Sequence, residues 1–284
     1  MSNLPAIVLE GQPWHYGTWG SPQHPLLLLL HGFTGSNASW KTLGERWAAR
    51  YYVVAPDLPG HGHTPPQSHP QEMSMAQTAR RISLFLSYLS SAKATVLGYS
   101  MGGRLALHVG ATYGDQVSKL ILESASPGLA GPEEQKVRRE QDQALADTIE
   151  AKGLAWFIDY WAQVPLFKSQ PQELKRRENE TRATHTAFGL AQSLRGAGTG
   201  EQDSLWEALP KLKVPTLLVT GKLDTKFRAI AEKMARHIPK AIWVEIEKAG
   251  HNVHGECPDQ FFDCVNQFLA GPLGDQEGDT HHGI

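Results

Sequence analysis

The chain has 284 residues, 40% of them hydrophobic and 20% charged, with a formal charge of −2 at pH 7. That length can bury one large core, and so even a charge balance argues against capture of nucleic acid on a basic face. The longest apolar run, Leu26 to Leu30, is far short of the roughly 20 residues a membrane-spanning helix needs.

At the start, Met1-Ser-Asn-Leu-Pro5 lacks the basic and apolar regions of a secretory leader, so the expected location is cytoplasmic with no membrane partner. Short apolar runs then follow at Pro25–Leu30, Tyr52–Ala55, Thr95–Leu97, Leu120–Leu122, Val214–Thr220 and Ile242–Ile246. Consecutive apolar positions predict strands buried on both faces. Amphipathic stretches such as Met75–Leu89 and Gly103–Tyr113 lie between them. This alternation predicts an α/β fold, a mainly parallel sheet with helices on both faces.

The rhythm breaks between Gly131 and Leu209, where charged segments without strand character predict helices at Glu133–Glu150, Gly153–Gln163, Gln172–Thr184 and Phe188–Arg195. A glycine-rich link, Gly196–Gly200, follows. The expected organisation is a core of residues 1–130 and 208–270, a helical cap insertion at 131–207, and a disordered tail at 271–284. Cys257 and Cys264 read as small apolar residues on one helix face, and His281 and His282 as tail residues, so no metal site is expected.

Gly98-Tyr-Ser-Met-Gly102 sits between a strand and a helix, the context of a nucleophile elbow with Ser100 at its apex. The helix N-terminus would present the Met101 N–H beside the Ser100 hydroxyl. Leu30-His-Gly-Phe-Thr-Gly35 ends an earlier strand, where Phe33 would supply a second N–H for an oxyanion hole and His31 would support the loop backbone. Asp224 and His251 follow the last two strands, in the order acid then histidine that completes a triad. His254 is the competing histidine, read as a loop or helix-start residue, and Asp57 reads as a loop anchor.

Four stretches, Gly98–Arg104, Glu123–Leu129, Asp224–Phe227 and Ala249–Asn252, together resemble the 2-succinyl-6-hydroxy-2,4-cyclohexadiene-1-carboxylate synthases of menaquinone and phylloquinone biosynthesis. The resemblance runs from about residue 25 to 270. It implies a cofactor-free carbon–oxygen lyase of the α/β-hydrolase fold that eliminates pyruvate from a small polycarboxylate. It also implies substrate-binding roles for Arg104, Arg138 and Arg182, whose guanidinium groups suit carboxylates, and for Tyr99 and Trp161. Arg139 stands beside Arg138, and either could face the substrate.

The triad alone also suits a carboxylesterase or carbon–carbon bond hydrolase in which Ser100 is a nucleophile rather than a base. A binding protein that keeps the fold as a pocket is the third reading. Neither the oligomeric state nor the choice between the two quinone pathways is legible in these residues.

Overall fold

The computed structural model describes residues 4–271, so the expectation for the tail beyond Gly271 lies outside it. Ahead of the strands predicted from sequence stands an antiparallel hairpin, β1 (Ala6–Leu9) and β2 (Gln12–Trp19). Its turn is Glu10-Gly11, with φ of 50° and 82°, the geometry of the two-residue turns usually written Asn-Gly. A glutamate in the first position hides the turn, and Pro13, His15 and Gly17 break the apolar alternation of β2. Both strands therefore escape sequence reading.

The chain then alternates through β3 (Leu26–Leu30), α1 (Lys41–Trp47), β4 (Tyr52–Pro56), α2 (Met75–Leu89), β5 (Ala94–Tyr99), α3 (Met101–Thr112) and β6 (Val117–Glu123). Next come three helices without a strand, α4 (Pro132–Ala162), α5 (Gln172–Arg182) and α6 (Ala187–Ala197). The rhythm returns with β7 (Thr216–Gly221), α7 (Thr225–His237), β8 (Ala241–Ile246), α8 (Val253–Glu256) and α9 (Pro258–Ala270).

The eight strands form one sheet in the order β1-β2-β4-β3-β5-β6-β7-β8. From β4 to β8 all neighbours are parallel, and only the β1–β2 and β2–β4 pairs are antiparallel. The five leucines of β3 are all buried because α2, α3 and α7 cover one face and α1 and α9 the other. A strand dry on both sides has no polar alternation to show.

Some element boundaries differ from those expected. Helix α3 begins at Met101 rather than Gly103, so its first turn abuts Ser100 directly. α4 is broken at Gly153, at φ 80° and ψ 173°, so that two helices meet there as the sequence leads one to expect; only a residue without Cβ takes that conformation freely. α6 extends to Ala197, into the segment read as a glycine-rich link. α4 and α6 share a small apolar cluster of Ala146, Ile149, Phe157, Leu190, Ala191 and Leu194, against which Phe33 and Trp161 also pack.

Loops leaving the carboxyl ends of parallel strands carry the chemistry-bearing residues of this architecture. After β4, the buried Asp57 carboxylate accepts from Asn37 N–H and Asn37 Nδ2, both at 2.7 Å, and from His63 N–H at 2.9 Å. It ties two such loops together. Replacing Asp57 with alanine leaves those donors buried and unmet, so Asp57→Ala should destabilise the fold by about 3 kcal/mol or more, read as a lower urea midpoint.

Candidate active site

Ser100 joins β5 to α3 at φ 51° and ψ −108°, a strained conformation for any residue with a side chain and one that costs about 1–3 kcal/mol. Its N–H donates to the Glu123 carbonyl at 2.9 Å. Two glycines make the turn possible. A Cβ on Gly98 would stand 2.1 Å from the Gly102 carbonyl oxygen, and one on Gly102 would stand 2.2 Å from that of Leu30. The elbow is thus pressed against the end of β3.

His251 Nε2 lies 2.9 Å from Ser100 Oγ, and His251 Nδ1 lies 2.7 Å from Asp224 Oδ2. Asp224 accepts the Nδ1–H, which leaves Nε2 free to receive the serine proton. The other Asp224 oxygen accepts from Phe227 N–H at 3.2 Å as the N-cap of α7. Phe227, Tyr99 and Phe167 surround the His251 ring, with centroids 4.5, 5.5 and 6.2 Å away. The imidazole is 1% exposed, so few water molecules compete for its nitrogens.

The loop after β3 faces this serine turn. A Cβ on Gly32 would come within 3.5 Å of Ser100 Cβ. Leu58 N–H donates to His31 Nε2 at 3.0 Å and His31 Nδ1–H donates to the Gly32 carbonyl at 2.8 Å, so His31 supports backbone on both sides. Met101 is the first residue of α3, and its N–H has no intrahelical acceptor. Thr34, next to Phe33, is held at φ 68°. The Phe33 ring meets Phe157, Trp161 and His61 edge-on.

The three arginines lie in two places. Arg104, one turn beyond Ser100, donates to Gln202 Oε1 at 2.8 Å and to the Ala197 carbonyl at 2.9 Å. Burial, then the Arg138 charge, pushes its pKa down to about 10, with Asp142 partly opposing. Arg138 pairs with Asp142 at 2.8 Å and is 39% exposed. Its neighbour Arg139 is 51% exposed and pairs with Glu201, so Arg138 is the one placed beside Arg104.

Arg182 stands apart, 2% exposed, donating to Thr34 Oγ1 at 3.3 Å and Asn179 Oδ1 at 2.6 Å, with Glu178 at 3.5 Å. Burial lowers its pKa, against the pull of Glu178 and Tyr99. The buried Tyr99 phenol is held well above its usual pKa by desolvation and by the Glu123, Glu178 and Glu256 charges, so it stays protonated. Trp161 packs 5.3 Å from Phe33 and 6.0 Å from Phe167, with its Nε1 buried and unpartnered. Gly32, Phe33, Thr34, Tyr99, Phe167 and Arg182 border a space of only about 10 Å³, roughly what one water needs.

Sequence reasoning missed Phe167, Glu178, His185 and Gln202. They belong to irregular or solvated-looking segments of the helical insertion, and no spacing rule singles them out. His254 is fixed elsewhere, its N–H and Nδ1 on the buried Glu123 carboxylate at 2.9 and 2.8 Å. It does not face Ser100 through a hydrogen bond. Cys257 and Cys264 are free thiols.

A family model described as the alpha/beta hydrolase fold matches residues 25–258, and the chain belongs to that family. Similarity also reaches a narrower group. A Klebsiella pneumoniae protein named 2-succinyl-6-hydroxy-2,4-cyclohexadiene-1-carboxylate synthase is 31% identical, with 88% of this chain and 96% of the relative covered. A Bacillus subtilis (strain 168) protein that bears the same name provisionally is 36% identical, over 95% of this chain and 99% of its own. The solved structure of MenH from S. aureus superposes with a TM-score of 0.85 at 32% identity, over 90% of this chain and 97% of that one. The chain is a member of the 2-succinyl-6-hydroxy-2,4-cyclohexadiene-1-carboxylate synthase family.

Around the site, four histidines are held neutral. Burial pushes His31 and His108 down to about 4, and it lowers His61 and His185 as well. The unfolded chain takes up these protons near pH 6.5 while the folded chain refuses them, so stability is full above that pH and falls as the pH drops toward 4. A histidine displaced from 6.5 to about 4 contributes about 3 kcal/mol to that loss. Urea midpoints measured from pH 7 to 4.5 should fall steadily, and the slope should be shallower in His108→Leu.

Proposed function

We propose that this chain is a cytoplasmic synthase that eliminates pyruvate from 2-succinyl-5-enolpyruvyl-6-hydroxy-3-cyclohexene-1-carboxylate, with residues 131–207 serving as the cap over Ser100. The observation that carries this is Arg104, a buried guanidinium one turn from the serine whose acceptors are both neutral. Among the described residues no carboxylate lies within ion-pair distance of it. A cation desolvated in that way favours an anionic partner, and the substrate brings three carboxylates. Arg138 beside it and Arg182 on the other side of the elbow give the remaining two somewhere to bind. Tyr99 and Trp161 would line the ring. No cofactor or metal is required by this scheme, and two free thiols suit a reducing compartment.

In the reaction, Ser100 Oγ, its proton drawn toward His251 Nε2, removes the ring proton next to the succinyl carbonyl. The freed electron pair moves onto the carbonyl oxygen, where the Phe33 and Met101 N–H groups stabilise it. The resulting dienolate reforms its carbonyl and expels the enolpyruvyl group through cleavage of the ring carbon–oxygen bond. His251 returns a proton to that leaving group, which becomes pyruvate. Asp224 stabilises the imidazolium in between. Ser100 serves as a base here because the substrate presents an acidic C–H, and no acyl-enzyme forms.

Incubation with this intermediate should release pyruvate stoichiometrically, and release no faster than background would overturn the reading. Ser100→Ala should lower kcat by at least about a thousandfold. Arg104→Met should lower kcat/KM by about a hundredfold, the effect of roughly 2–3 kcal/mol of lost charge-assisted bonding. An ester hydrolase would instead turn over simple neutral esters as well in Arg104→Met as in the wild type.

A further inference from the structure

Thr34 is a β-branched residue in the left-handed region, at φ 68°, where such residues are genuine outliers. The surroundings have to hold it there. Two side chains do so, Arg182 at the end of α5 and His185 three residues beyond it. His185 Nε2–H donates to the Thr34 carbonyl at 2.8 Å, and Arg182 Nε donates to Thr34 Oγ1 at 3.3 Å. The His185 ring is itself set by Gly62 N–H, which donates to its Nδ1 at 2.9 Å. With Nδ1 accepting and Nε2 donating, the imidazole is neutral and can fit only one way round.

Two residues earlier, the Gly32 carbonyl accepts from His31 Nδ1–H at 2.8 Å and from Gly35 N–H at 3.0 Å. A trans peptide directs its N–H opposite its carbonyl. The Phe33 N–H, which shares that peptide, therefore points away from His31. The turn is clamped at Gly32 by the sheet side of the molecule and at Thr34 by the helical insertion. The clamps flank the peptide that carries the proposed oxyanion donor.

We infer that His185 is a positioning residue: it makes the geometry of the oxyanion loop conditional on α5 being seated against it. This rests on the reading of Phe33 N–H as an oxyanion donor. His185 has no role in holding substrate. Its partners are the two backbone groups Gly62 N–H and Thr34 C=O, so its effect falls on the transition state and not on binding. When α5 lifts, Thr34 loses both of its holding contacts together, and the loop relaxes out of the left-handed conformation. A seated cap and a formed oxyanion hole then occur together.

The test compares wild type with His185→Leu, which has neither ring nitrogen, and His185→Gln, whose amide carries an acceptor and a donor on one carbon as the imidazole does. Hydrogen exchange is followed for the peptide spanning residues 31–36, and kcat and KM are measured by pyruvate release. His185→Leu should exchange at least tenfold faster in 31–36 with exchange in β5 and β7 unchanged, and should lose at least tenfold in kcat with KM within twofold of wild type. His185→Gln should recover part of both. Unchanged exchange in 31–36, or faster exchange with undiminished kcat, or a loss confined to KM, would each overturn the inference. Should His185→Leu fold poorly, His185→Gln alone decides, because swapping a ring for an amide must shift both readouts in the same sense. Absence of pyruvate release by the wild-type enzyme would overturn the substrate assignment, and the exchange comparison would still decide whether His185 holds the loop.

Discussion

The site depends on a backbone-to-backbone approach that leaves no room for a side chain. Where β5 turns into α3, Gly102 lies so close to the end of β3 that a Cβ would fall 2.2 Å from the Leu30 carbonyl oxygen. That contact joins the serine turn to the β3 loop, so the Ser100 hydroxyl and the Gly32–Thr34 backbone cannot move independently. It also offsets the strain at φ 51°, because relaxing Ser100 would separate two central parallel strands. Asp224 and His251 reach the same point from β7 and β8, and a Cβ on Gly221 would meet the Gly250 carbonyl oxygen at 2.2 Å. Glycine is needed at both places for the strand ends to close around one hydroxyl.

Electrostatically the site separates two kinds of burial. Histidines His31 and His61 on the sheet side and His185 on the helical insertion are desolvated and stay neutral, so they serve as directional hydrogen-bonding groups. Arginine cannot shed its proton in this way, so Arg104 and Arg182 stay charged even when buried. Arg182 has Glu178 at 3.5 Å to offset its charge, whereas the Arg104 guanidinium donates only to amide and carbonyl oxygens and feels Asp142 from beyond ion-pair distance. The difference makes Arg104 the stronger attractor for an incoming anion and Arg182 the more fully built-in member of the fold.

Much of this was legible in the chain itself, and the reasons are local. The glycines around Ser100 and the order serine, acid, histidine stand out because strained turns restrict residue choice. The buried strands stand out because a strand dry on both faces is made mostly of consecutive apolar residues. Hairpin β1–β2 was not legible because Glu10 occupies a left-handed position that usually advertises itself with asparagine or glycine. Thr34 and His185 were not legible either. Their importance comes from a contact between residues 151 apart in sequence, and neither residue type is unusual where it stands. The division of the arginines into two groups was equally hidden, since helix periodicity says which face a residue occupies but not which neighbour that face meets.

Asp224 divides its two carboxylate oxygens between tasks, one capping α7 through Phe227 N–H and the other receiving His251 Nδ1–H. A carboxylate can do both because it is an acceptor at each end. An amide of the same shape cannot. If its oxygen stays on the helix, its NH₂ faces the ring and the imidazole must move its proton to Nε2, which then offers Ser100 a donor where a base is needed. If the amide turns over, the ring keeps its tautomer and the first turn of α7 loses its acceptor. One side chain thereby makes the protonation state of the histidine and the start of a helix a single choice.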